Sequence, residues 1–455
     1  MNLHIHIHDR RRYAKLFIPM SLLSLGMVIL GFLIDPPMVV IQGLKTIFFS
    51  SSLLITDYMA LAGVGAALAN SGLVCLFSLA ILYYSKDPVN GFTLVTLGLM
   101  AGFSLFGKNL LNSFPIFLGT FLFSKLKQEP FSRYASVSLL ATALSPMVSF
   151  VAFHDEHPMP ILGLILGLLI GFVMPSLAAY TFRIQNGMNL YNAGFACGVL
   201  GMVLAPVLSS LGHAPEPELY WFTGYNLYFD IALSVFCLSL ILYGTIRGKK
   251  EAWHRYLHLL RTSGRLPSDY LRTYGTPAVC INMGINGLLC GAYILLVGGD
   301  LNGPTLGGIF TVMGFSAYGK HAANIAPVIA GVAIGNIFNN VPLDNPSMQI
   351  AGLFGTTLAP ISGVFGWPFG LLAGFLHSAV VLYCGGPLGG VNLYNNGFSG
   401  GIIAIVLYPI LTALLFHRKP NLQDEEFYDI FEEDSPLTEE EMEAHHHPEE
   451  AQMPH

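Results

Sequence analysis

Charged residues are scarce in this chain of 455 residues, because Asp, Glu, Lys and Arg make up only 11% of it. That share is about half the share in an ordinary soluble domain, and apolar residues reach 53%. Apolar runs of roughly 16 to 25 residues fit the bilayer core, and the alternating pattern of barrel strands is missing. We therefore predict an all-α integral membrane protein.

Disulfide and enzyme signatures are also missing. All six cysteines fall in or beside apolar runs, where a thiol acts as a small hydrophobe, so no disulfide framework is predicted. The string at 102–108 has the spacing of a phosphate loop, but Asn109 stands where that loop needs Ser or Thr for magnesium. We expect no enzyme activity, no cofactor and no metal, and the net charge of −6 does not indicate a nucleic-acid partner.

The chain does contain an internal repeat. The string GFSLFGK at 102–108 returns as GFSAYGK at 314–320, and NLYNAGF at 189–195 returns as NLYNNGF at 392–398. Seven identities around the first string share one offset, 320 minus 108, or 212, without a gap. A duplicated apolar chain is typical of transporters.

The repeat divides the chain into five predicted parts. These are an N-terminal part with the first membrane helix and an interfacial segment (1–58), repeat 1 (59–211), a linking helix with a basic loop (212–277), repeat 2 (278–416) and a disordered acidic tail (417–455). In this division the first helix and the 222–246 segment lie outside the repeat.

The order of the apolar segments predicts inverted repeats. Each half has about six segments, and a linking span gives seven steps between equivalent positions, which is an odd number. Lys and Arg collect on one side, so both termini are expected in the cytoplasm, with the chain in a cell membrane. The segments at 91–125 and 303–340 are each either two full spans or one re-entrant hairpin, giving 14 or 10 crossings. Lys108 and Lys320 then either snorkel at opposite surfaces or approach the midplane from opposite faces.

Two lysines and two polar strings form the candidate solute site. A charged side chain at the bilayer centre costs a few kcal/mol, so each lysine either lies at a helix end or lines an anion-attracting site. The NLYN strings offer donors and acceptors to a solute, or hydrogen bonds between helices. The predicted substrate-binding residues are Lys108, Asn112, Asn189, Tyr191, Asn192, Lys320, Asn324, Asn392, Tyr394 and Asn395.

Carboxylates are rare inside the predicted spans. Asp230 is the one that falls clearly within a span, and it is either a proton-coupling group or a residue paired near the helix end. This scarcity argues against a proton relay and favours sodium coupling or passive flow. His377 is either a satisfied interior histidine or a ligand.

The doubled GFS-x-aromatic-GK and NLYN-x-GF strings resemble an uncharacterised family of bacterial multi-pass membrane proteins, the domain of unknown function 1576. The resemblance covers nearly the full length and implies a bacterial inner membrane location and no particular activity. Tyr191-Asn192-Ala193 and Tyr394-Asn395-Asn396 are also partly similar to an aromatic-asparagine-small element in the inverted halves of urea transporters.

The sequence thus predicts a transporter of a small polar or anionic solute, with its site between inverted repeats. A passive channel similar to urea transporters is one alternative, and a membrane-embedded enzyme or a scaffold is another. The expected partners are the solute and the lipid bilayer, and formation of a homo-oligomer stays open.

Overall fold

The computed structural model describes residues 2–86, 89–153 and 158–415, with side chains from Phe17 onward. The described chain is almost wholly helical, and ten of its helical segments are long and apolar enough to cross a membrane. The predicted all-α multi-pass membrane fold is confirmed. The chain divides into a large unit, Met1–Tyr408, and a short unit, Pro409–His455, of which the described part is the end of the last helix. The predicted disordered tail lies outside the described residues.

The described residues of the first half form ten α-helices. They are α1 (Asn2–Ile34), α2 (Pro37–Phe49), α3 (Tyr58–Ala62), α4 (Val64–Ser85), α5 (Gly91–Phe103), α6 (Leu110–Leu126), α7 (Ala135–Ala141), α8 (Ser145–Phe153), α9 (Pro160–Gln185) and α10 (Asn192–Ser210). A 3-10 turn, Thr142–Leu144, joins α7 to α8, so these two form one broken crossing. The segment at 36–55, which the sequence predicts to be interfacial, contains the short helix α2.

The second half repeats this order with fewer breaks. Its helices are α11 (Asn226–Leu259), α12 (Tyr270–Leu296), α13 (Gly303–Phe315), α14 (Ala322–Phe338), α15 (Pro346–Phe354), α16 (Ala359–Phe365), α17 (Trp367–Leu388) and α18 (Asn395–Leu415). The 3-10 turn Gly355–Leu358 joins α15 to α16. Kinks at Lys249 in α11 and at Gly275 in α12 stand where the first half has separate helices.

Glycine contacts show that the equivalence of the halves begins at the first helix. A Cβ on Gly72 of α4 would lie 2.5 Å from the carbonyl oxygen of Ser24 in α1. A Cβ on Gly284 of α12 would lie 2.5 Å from the carbonyl oxygen of Cys237 in α11, and 284 minus 72 is again 212. Small residues let helix backbones approach closely. The equivalence therefore includes the first helix and the 222–246 segment, which the division by sequence leaves outside the repeat.

The segments that precede α4 and the main part of α12 are also equivalent. The backbone N–H of Tyr58 donates to Leu105 over 3.0 Å, and that of Tyr270 donates to Ala317 over 3.1 Å, at the same offset of 212. Each segment then turns at a glycine with positive φ, +91° at Gly63 and +81° at Gly275. In each half, a short helical segment that ends at this glycine therefore contacts one of the repeated GFS strings.

Helices α5 and α6 form one hairpin, and α13 and α14 form another. Helices α5 and α13 have 13 residues each, about 20 Å of rise, which is short of the roughly 30 Å hydrocarbon core. None of the four helices is among the ten long apolar segments. Helix length therefore favours the re-entrant hairpin and the count of ten crossings.

The two hairpins lie side by side with opposite directions. A Cβ on Gly102 would lie 2.4 Å from the carbonyl oxygen of Gly307, and one on Gly91 would lie 2.3 Å from that of Ala317. The end of α5 thus lies beside the start of α13. We call the loop at 104–109 tip 1 and the loop at 316–321 tip 2; they lie at opposite ends of the α5 and α13 pair.

Different loops cover the two tips. Tip 2 contacts the linker at 260–270, where a Cβ on Gly264 would lie 2.0 Å from the carbonyl oxygen of Gly319. Tip 1 contacts the segment at 50–58, which also donates from Leu54 N–H to the Gly390 carbonyl over 2.8 Å. The end of the bundle that contains tip 2 is called face 1. The opposite end, which contains tip 1, is called face 2.

Candidate functional site

Asparagines shape both tips. The N–H of Asn112 donates to Oδ1 of Asn109 over 2.9 Å, and the N–H of Asn109 donates to Oδ1 of Asn112 over 2.9 Å, which caps α6. Oδ1 of Asn324 likewise accepts from the N–H of His321 over 2.9 Å at the start of α14. The amide nitrogens of Asn112 and Asn324 donate to the carbonyls of Gly107 and Gly319. Two predicted site residues, Asn112 and Asn324, therefore hold the loop backbone.

The glycine before each lysine is required by the turn. Gly107 has φ of +91° and Gly319 has φ of +108°, a region that L side chains rarely adopt. This requirement explains why Gly-Lys recurs as a pair and not lysine alone. The turn places each lysine directly ahead of a capped helix, and both lysines are buried, with 1% of Lys108 and 0% of Lys320 exposed. Neither lysine snorkels to a surface.

A second pair of asparagines anchors the lysine backbones. Nδ2 of Asn70 in α4 donates to the carbonyls of Ser104 and Lys108 over 2.7 and 2.9 Å. Nδ2 of Asn282 in α12 donates to those of Ser316 and Lys320 over 2.7 Å each. The prediction from sequence missed both asparagines, although 282 minus 70 is the same 212. The offset applied to single polar residues would have found them.

Lys320 has hydroxyl partners from both halves. Its Nζ donates to Oη of Tyr191 from the first half, and to Oγ1 of Thr356 over 2.6 Å. The ammonium also lies 4.3 Å from the centre of the Tyr191 ring and 5.2 Å from that of Phe315. Thr356 belongs to the 3-10 turn between α15 and α16. The Lys320 site thus joins tip 2, a broken helix and the opposite half.

Lys108 has a poorer set of partners. Its Nζ lies 3.4 Å from Sδ of Met100 and 5.1 Å from the centre of the Phe103 ring. Oγ1 of Thr142, the equivalent of Thr356, lies 3.7 Å from the same sulfur. The hydroxyl of Tyr394, the equivalent of Tyr191, is buried without a hydrogen-bond partner. A thioether is a weak acceptor, so the ammonium donors of Lys108 are largely unused.

No carboxylate pairs with either lysine within the described part of the chain. The ion pairs described there are short-range pairs with at least partial exposure: Arg133 with Glu129, Arg255 with Glu251, and Arg272 with Asp269. A buried ammonium without a counter-charge is costly in a membrane interior. Two hydroxyls meet part of the demand for acceptors at Lys320, whereas the demand for negative charge or strong acceptors stays open at Lys108.

Aromatic rings connect the two lysine sites. The rings of Tyr191 and Tyr394 lie 5.0 Å apart, and Phe103 meets Tyr394 edge-on at 4.7 Å. Phe315 lies 4.8 Å from Tyr191. Each lysine lies beside this group of four rings, so the lysines of both tips contact one central aromatic cluster.

The NLYN strings hold the halves together through their first asparagine. Nδ2 of Asn189 donates to the carbonyl of Gly397 over 3.0 Å, and Nδ2 of Asn392 donates to that of Gly194 over 3.3 Å. Oδ1 of each asparagine accepts from the N–H two residues on, at Tyr191 and Tyr394. The first asparagines therefore orient the tyrosines.

The second asparagines of the NLYN strings have other surroundings. Asn192 accepts from Thr181 over 2.9 Å and donates to the carbonyl of Ala178 over 2.8 Å, so it binds α10 to α9. Asn395 is 7% exposed, and its Oδ1 has no hydrogen-bond partner. Of the ten predicted site residues, Lys320 and Tyr191 are in direct contact, and Lys108 and Tyr394 both contact Phe103.

Asp57 is a buried carboxylate that the prediction from sequence overlooked. It lies between α2 and α3 and accepts from the N–H groups of Met59 over 2.9 Å and Phe222 over 3.1 Å. Burial raises the pKa of this carboxyl to about 7. Asp230 is partly exposed near the start of α11, and His377 bonds Asn396 over 3.0 Å in the interior. Asp57 escaped notice because it precedes an apolar run and is buried by contacts distant in sequence.

The family of the chain follows from a comparison with family models. The model described as Protein of unknown function (DUF1576) matches residues 37–210 and 248–413, and the two starts lie 211 residues apart, 248 minus 37. No curated protein and no solved structure matches the chain, so the partial similarity to urea transporters gains no support. The matched stretches cover most of the chain and include both tips and both NLYN strings. The chain belongs to the DUF1576 family of proteins of unknown function.

Proposed function

We propose that this protein is a membrane transporter of a small polar or anionic solute, with its site beside Lys108 and Lys320. The observation that carries this proposal is the pair of buried lysines, each on a hairpin tip and without a carboxylate partner among the described residues. An unpaired ammonium is costly to bury, so a solute with negative charge or strong acceptors would offset that cost. A scaffold gives no reason to build the same costly feature twice.

The proposed site lies between two inverted repeats. A two-fold relation makes equivalent residues contact one another, as in a symmetric dimer interface. Tyr191 contacts Tyr394, and Phe195 stacks on Phe398 with ring centres 5.7 Å apart. Five long crossings in each half, an odd number, would turn the second half over. Inverted repeats with a site at their interface are a recurrent plan of secondary transporters.

Broken helices support the same proposal. Thr142 and Thr356 lie in 3-10 turns that interrupt crossing helices beside the lysines. Transporters commonly place their solute where a crossing helix is discontinuous, because the unwound backbone offers polar groups. Both lysines are closed off from solvent, so movement of one half against the other would have to open the site.

Orientation and location are part of the proposal. Lys125 and Lys127 at the end of α6, Arg183 at the end of α9 and Arg265 in the linker belong to the end of the bundle called face 1. Cytoplasmic loops collect Lys and Arg, so we assign face 1 and both termini to the cytoplasm of a bacterial cell membrane.

Uptake into liposomes tests the proposal. The purified chain is reconstituted, and uptake of small anions, small amides and sodium is measured for the native protein, Lys108→Met and Lys320→Met. Methionine keeps the length of the side chain and removes the charge. The matched control is Lys125→Met, because Lys125 is exposed. We expect uptake of one solute class to be lost in the two buried variants and kept in the control. Unchanged uptake in both buried variants would contradict the proposal, as would chemical turnover without flux.

A further inference from the structure

One difference between the two lysine sites lies eight residues before each lysine. Position 100 in the first half is Met, and its equivalent at 312 in the second half is Val. Sδ of Met100 lies between Nζ of Lys108 at 3.4 Å and Oγ1 of Thr142 at 3.7 Å. Methionine is flexible and fills irregular gaps, whereas valine has one preferred rotamer in a helix. The sulfur thus takes a place between two donors that a better acceptor could take.

Two polar groups around this place, on Lys108 and Tyr394, are donors without adequate acceptors among the described residues, whereas the hydroxyl of Thr142 also donates to the carbonyl of Leu139. The ammonium of Lys108 has three N–H bonds, and the thioether is its one hydrogen-bond partner among the described residues. The hydroxyl of Tyr394 is buried and has no partner, with 1% of the residue exposed. Its ring contacts Phe103, and the ammonium lies over the Phe103 ring. In the second half the same three residue types, Lys320, Tyr191 and Thr356, satisfy one another.

We propose that Lys108, Thr142 and Tyr394 form a binding site for one small monovalent anion, which takes the place of the Met100 sulfur. The anion would accept from the ammonium and from the Tyr394 hydroxyl, and from the Thr142 hydroxyl once that group turns away from the carbonyl of Leu139, to which it donates in the structure. This inference rests on the proposed transport function and names its solute class.

Charge balance selects a monovalent ion. One ammonium and one negative charge leave the buried site neutral, whereas a divalent anion leaves a net negative charge in a low-dielectric interior. No second cationic side chain is described in contact with Lys108. Lys320 does not serve as a second cation here, because its ammonium donates to the hydroxyls of Tyr191 and Thr356. A compact ion such as chloride, nitrate or formate fits this demand, and sulfate or phosphate does not.

Ligand-induced stabilisation of the full-length protein in detergent tests the site without a need for flux. An anion that binds only the folded state raises the apparent melting temperature with its concentration. Chloride, nitrate, formate, sulfate and phosphate are compared at equal ionic strength with gluconate, a bulky monovalent anion, as the baseline. We expect stabilisation by one or more of the first three and none by sulfate or phosphate. Preference for a divalent anion, or no effect of any anion, would overturn the proposal.

Two variants locate the binding. Tyr394→Phe removes one hydroxyl donor and should weaken the dissociation constant about ten-fold, because hydrogen bonds to a charged ligand are strong. Tyr256→Phe is the control, since Tyr256 is a buried tyrosine of α11 in a separate small cluster. Lys108→Met should abolish the stabilisation by anions. Equal affinity in Tyr394→Phe and native protein would overturn the assignment even where Lys108→Met fails to fold.

A measurement of solute flux distinguishes a failure of this inference from a failure of the proposed function on which it rests. Stabilisation by a monovalent anion without uptake of any solute would uphold the site and contradict the transporter. Uptake of a neutral amide without stabilisation by any anion would uphold the transporter and contradict the site.

Discussion

The two hairpin tips have nearly the same sequence and unequal surroundings. At tip 2 the ammonium of Lys320 donates to Tyr191 and Thr356. At tip 1 the ammonium of Lys108 faces a methionine sulfur while the hydroxyl of Tyr394 stays unpartnered. Asn70 and Asn282 hold the backbones of the two tips in the same way, so the difference between the lysines arises in the side chains around them. The repeated motif therefore gives both tips the same backbone structure, while the side chains around each lysine can differ.

The difference also shows how the halves are coupled. The hydroxyl that satisfies Lys320 comes from Tyr191 of the first half, while the carbonyl of each lysine is held by an asparagine of its own half, Asn70 or Asn282. Movement of one half against the other would break the first contact and keep the second. The side chain of Lys320, and not its backbone, therefore responds to such movement, whereas Lys108 contacts Met100 and Phe103 of its own half.

The largest expected effect comes from adding a side chain where the backbones of the two hairpin helices are in close contact. A Cβ on Gly102 would lie 2.4 Å from the carbonyl oxygen of Gly307, whereas one on its equivalent Gly314 would lie 2.9 Å from that of Leu94. Gly102→Val should therefore cost about 3 kcal/mol or more and yield little folded protein, and Gly314→Val should cost less. Yield and thermal unfolding in detergent measure both, with Gly26→Ala as the control, because nothing lies within 4 Å of a Cβ there. Equal losses at 102 and 314 would contradict the difference in spacing.

A pH effect should distinguish Asp57 from its equivalent, Asp269. Asp57 is fully buried with its pKa raised to about 7, while Asp269 is partly exposed and pairs with Arg272 over 3.3 Å. A carboxyl whose pKa is higher in the folded state favours folding when protonated. Its contribution is therefore complete below pH 4 and is lost as pH rises to about 7, a change of a few kcal/mol.

Thermal unfolding of native protein, Asp57→Asn and Asp269→Asn between pH 4 and pH 8 measures this effect. Asp57→Asn should remove much of the slope and leave an offset that does not depend on pH. Asp269→Asn should keep the slope, and a slope that persists in Asp57→Asn would refute the assignment to Asp57.

The lysines should differ in their effect on stability. Lys320→Met removes two hydrogen bonds and leaves the buried hydroxyls of Tyr191 and Thr356 without their donor, so it should cost about 2 kcal/mol. Lys108→Met removes a buried ammonium whose partner is a thioether, so it should be neutral or stabilising. Denaturation in detergent compares the two variants. A larger loss in Lys108→Met would reverse the comparison of the two sites.

The asparagine anchors should show the smallest difference. Nδ2 of Asn70 and of Asn282 each donate to two tip carbonyls over 2.7 to 2.9 Å. Asn70→Leu and Asn282→Leu should each cost about 1 to 2 kcal/mol, by nearly the same amount. The free energy of unfolding is measured for both variants. A difference above about 1 kcal/mol would show that the asparagine contacts to the two tip backbones are unequal as well.

Much of the fold could be predicted from the sequence. Scarce charge and long apolar runs predict a helical membrane protein, and the doubled strings predict which residues are equivalent. Helix length then favours the hairpin over two full spans. The full extent of the equivalence could not be predicted, because α1 and α11 share glycine contacts with α4 and α12 but few identities. Faces of a helix that meet lipid need only be apolar, so sequence there is free to change.

The site could be predicted only in part. Lys108 and Lys320 attract attention because a charge in an apolar run is costly. The pairing of Lys320 with Tyr191 could not be predicted, since 129 residues separate them and the contact depends on how the halves meet. Thr142 and Thr356 recur at an offset of 214, but a single hydroxyl in an apolar run is an ordinary feature. The role of Met100 is invisible in sequence, because methionine in a membrane helix carries no signal.

The crossed bonds of Asn189 and Asn392 have a consequence for the chain as a whole. Each amide caps a carbonyl that belongs to the other half, at Gly397 and at Gly194. A half alone would leave these buried groups without partners, so we expect that neither half folds alone. The loop at 211–225, between α10 and α11, therefore connects two parts of one interior, as a covalent connection joins the subunits of an obligate dimer. Two fragments made by cutting the chain in that loop should assemble only with each other.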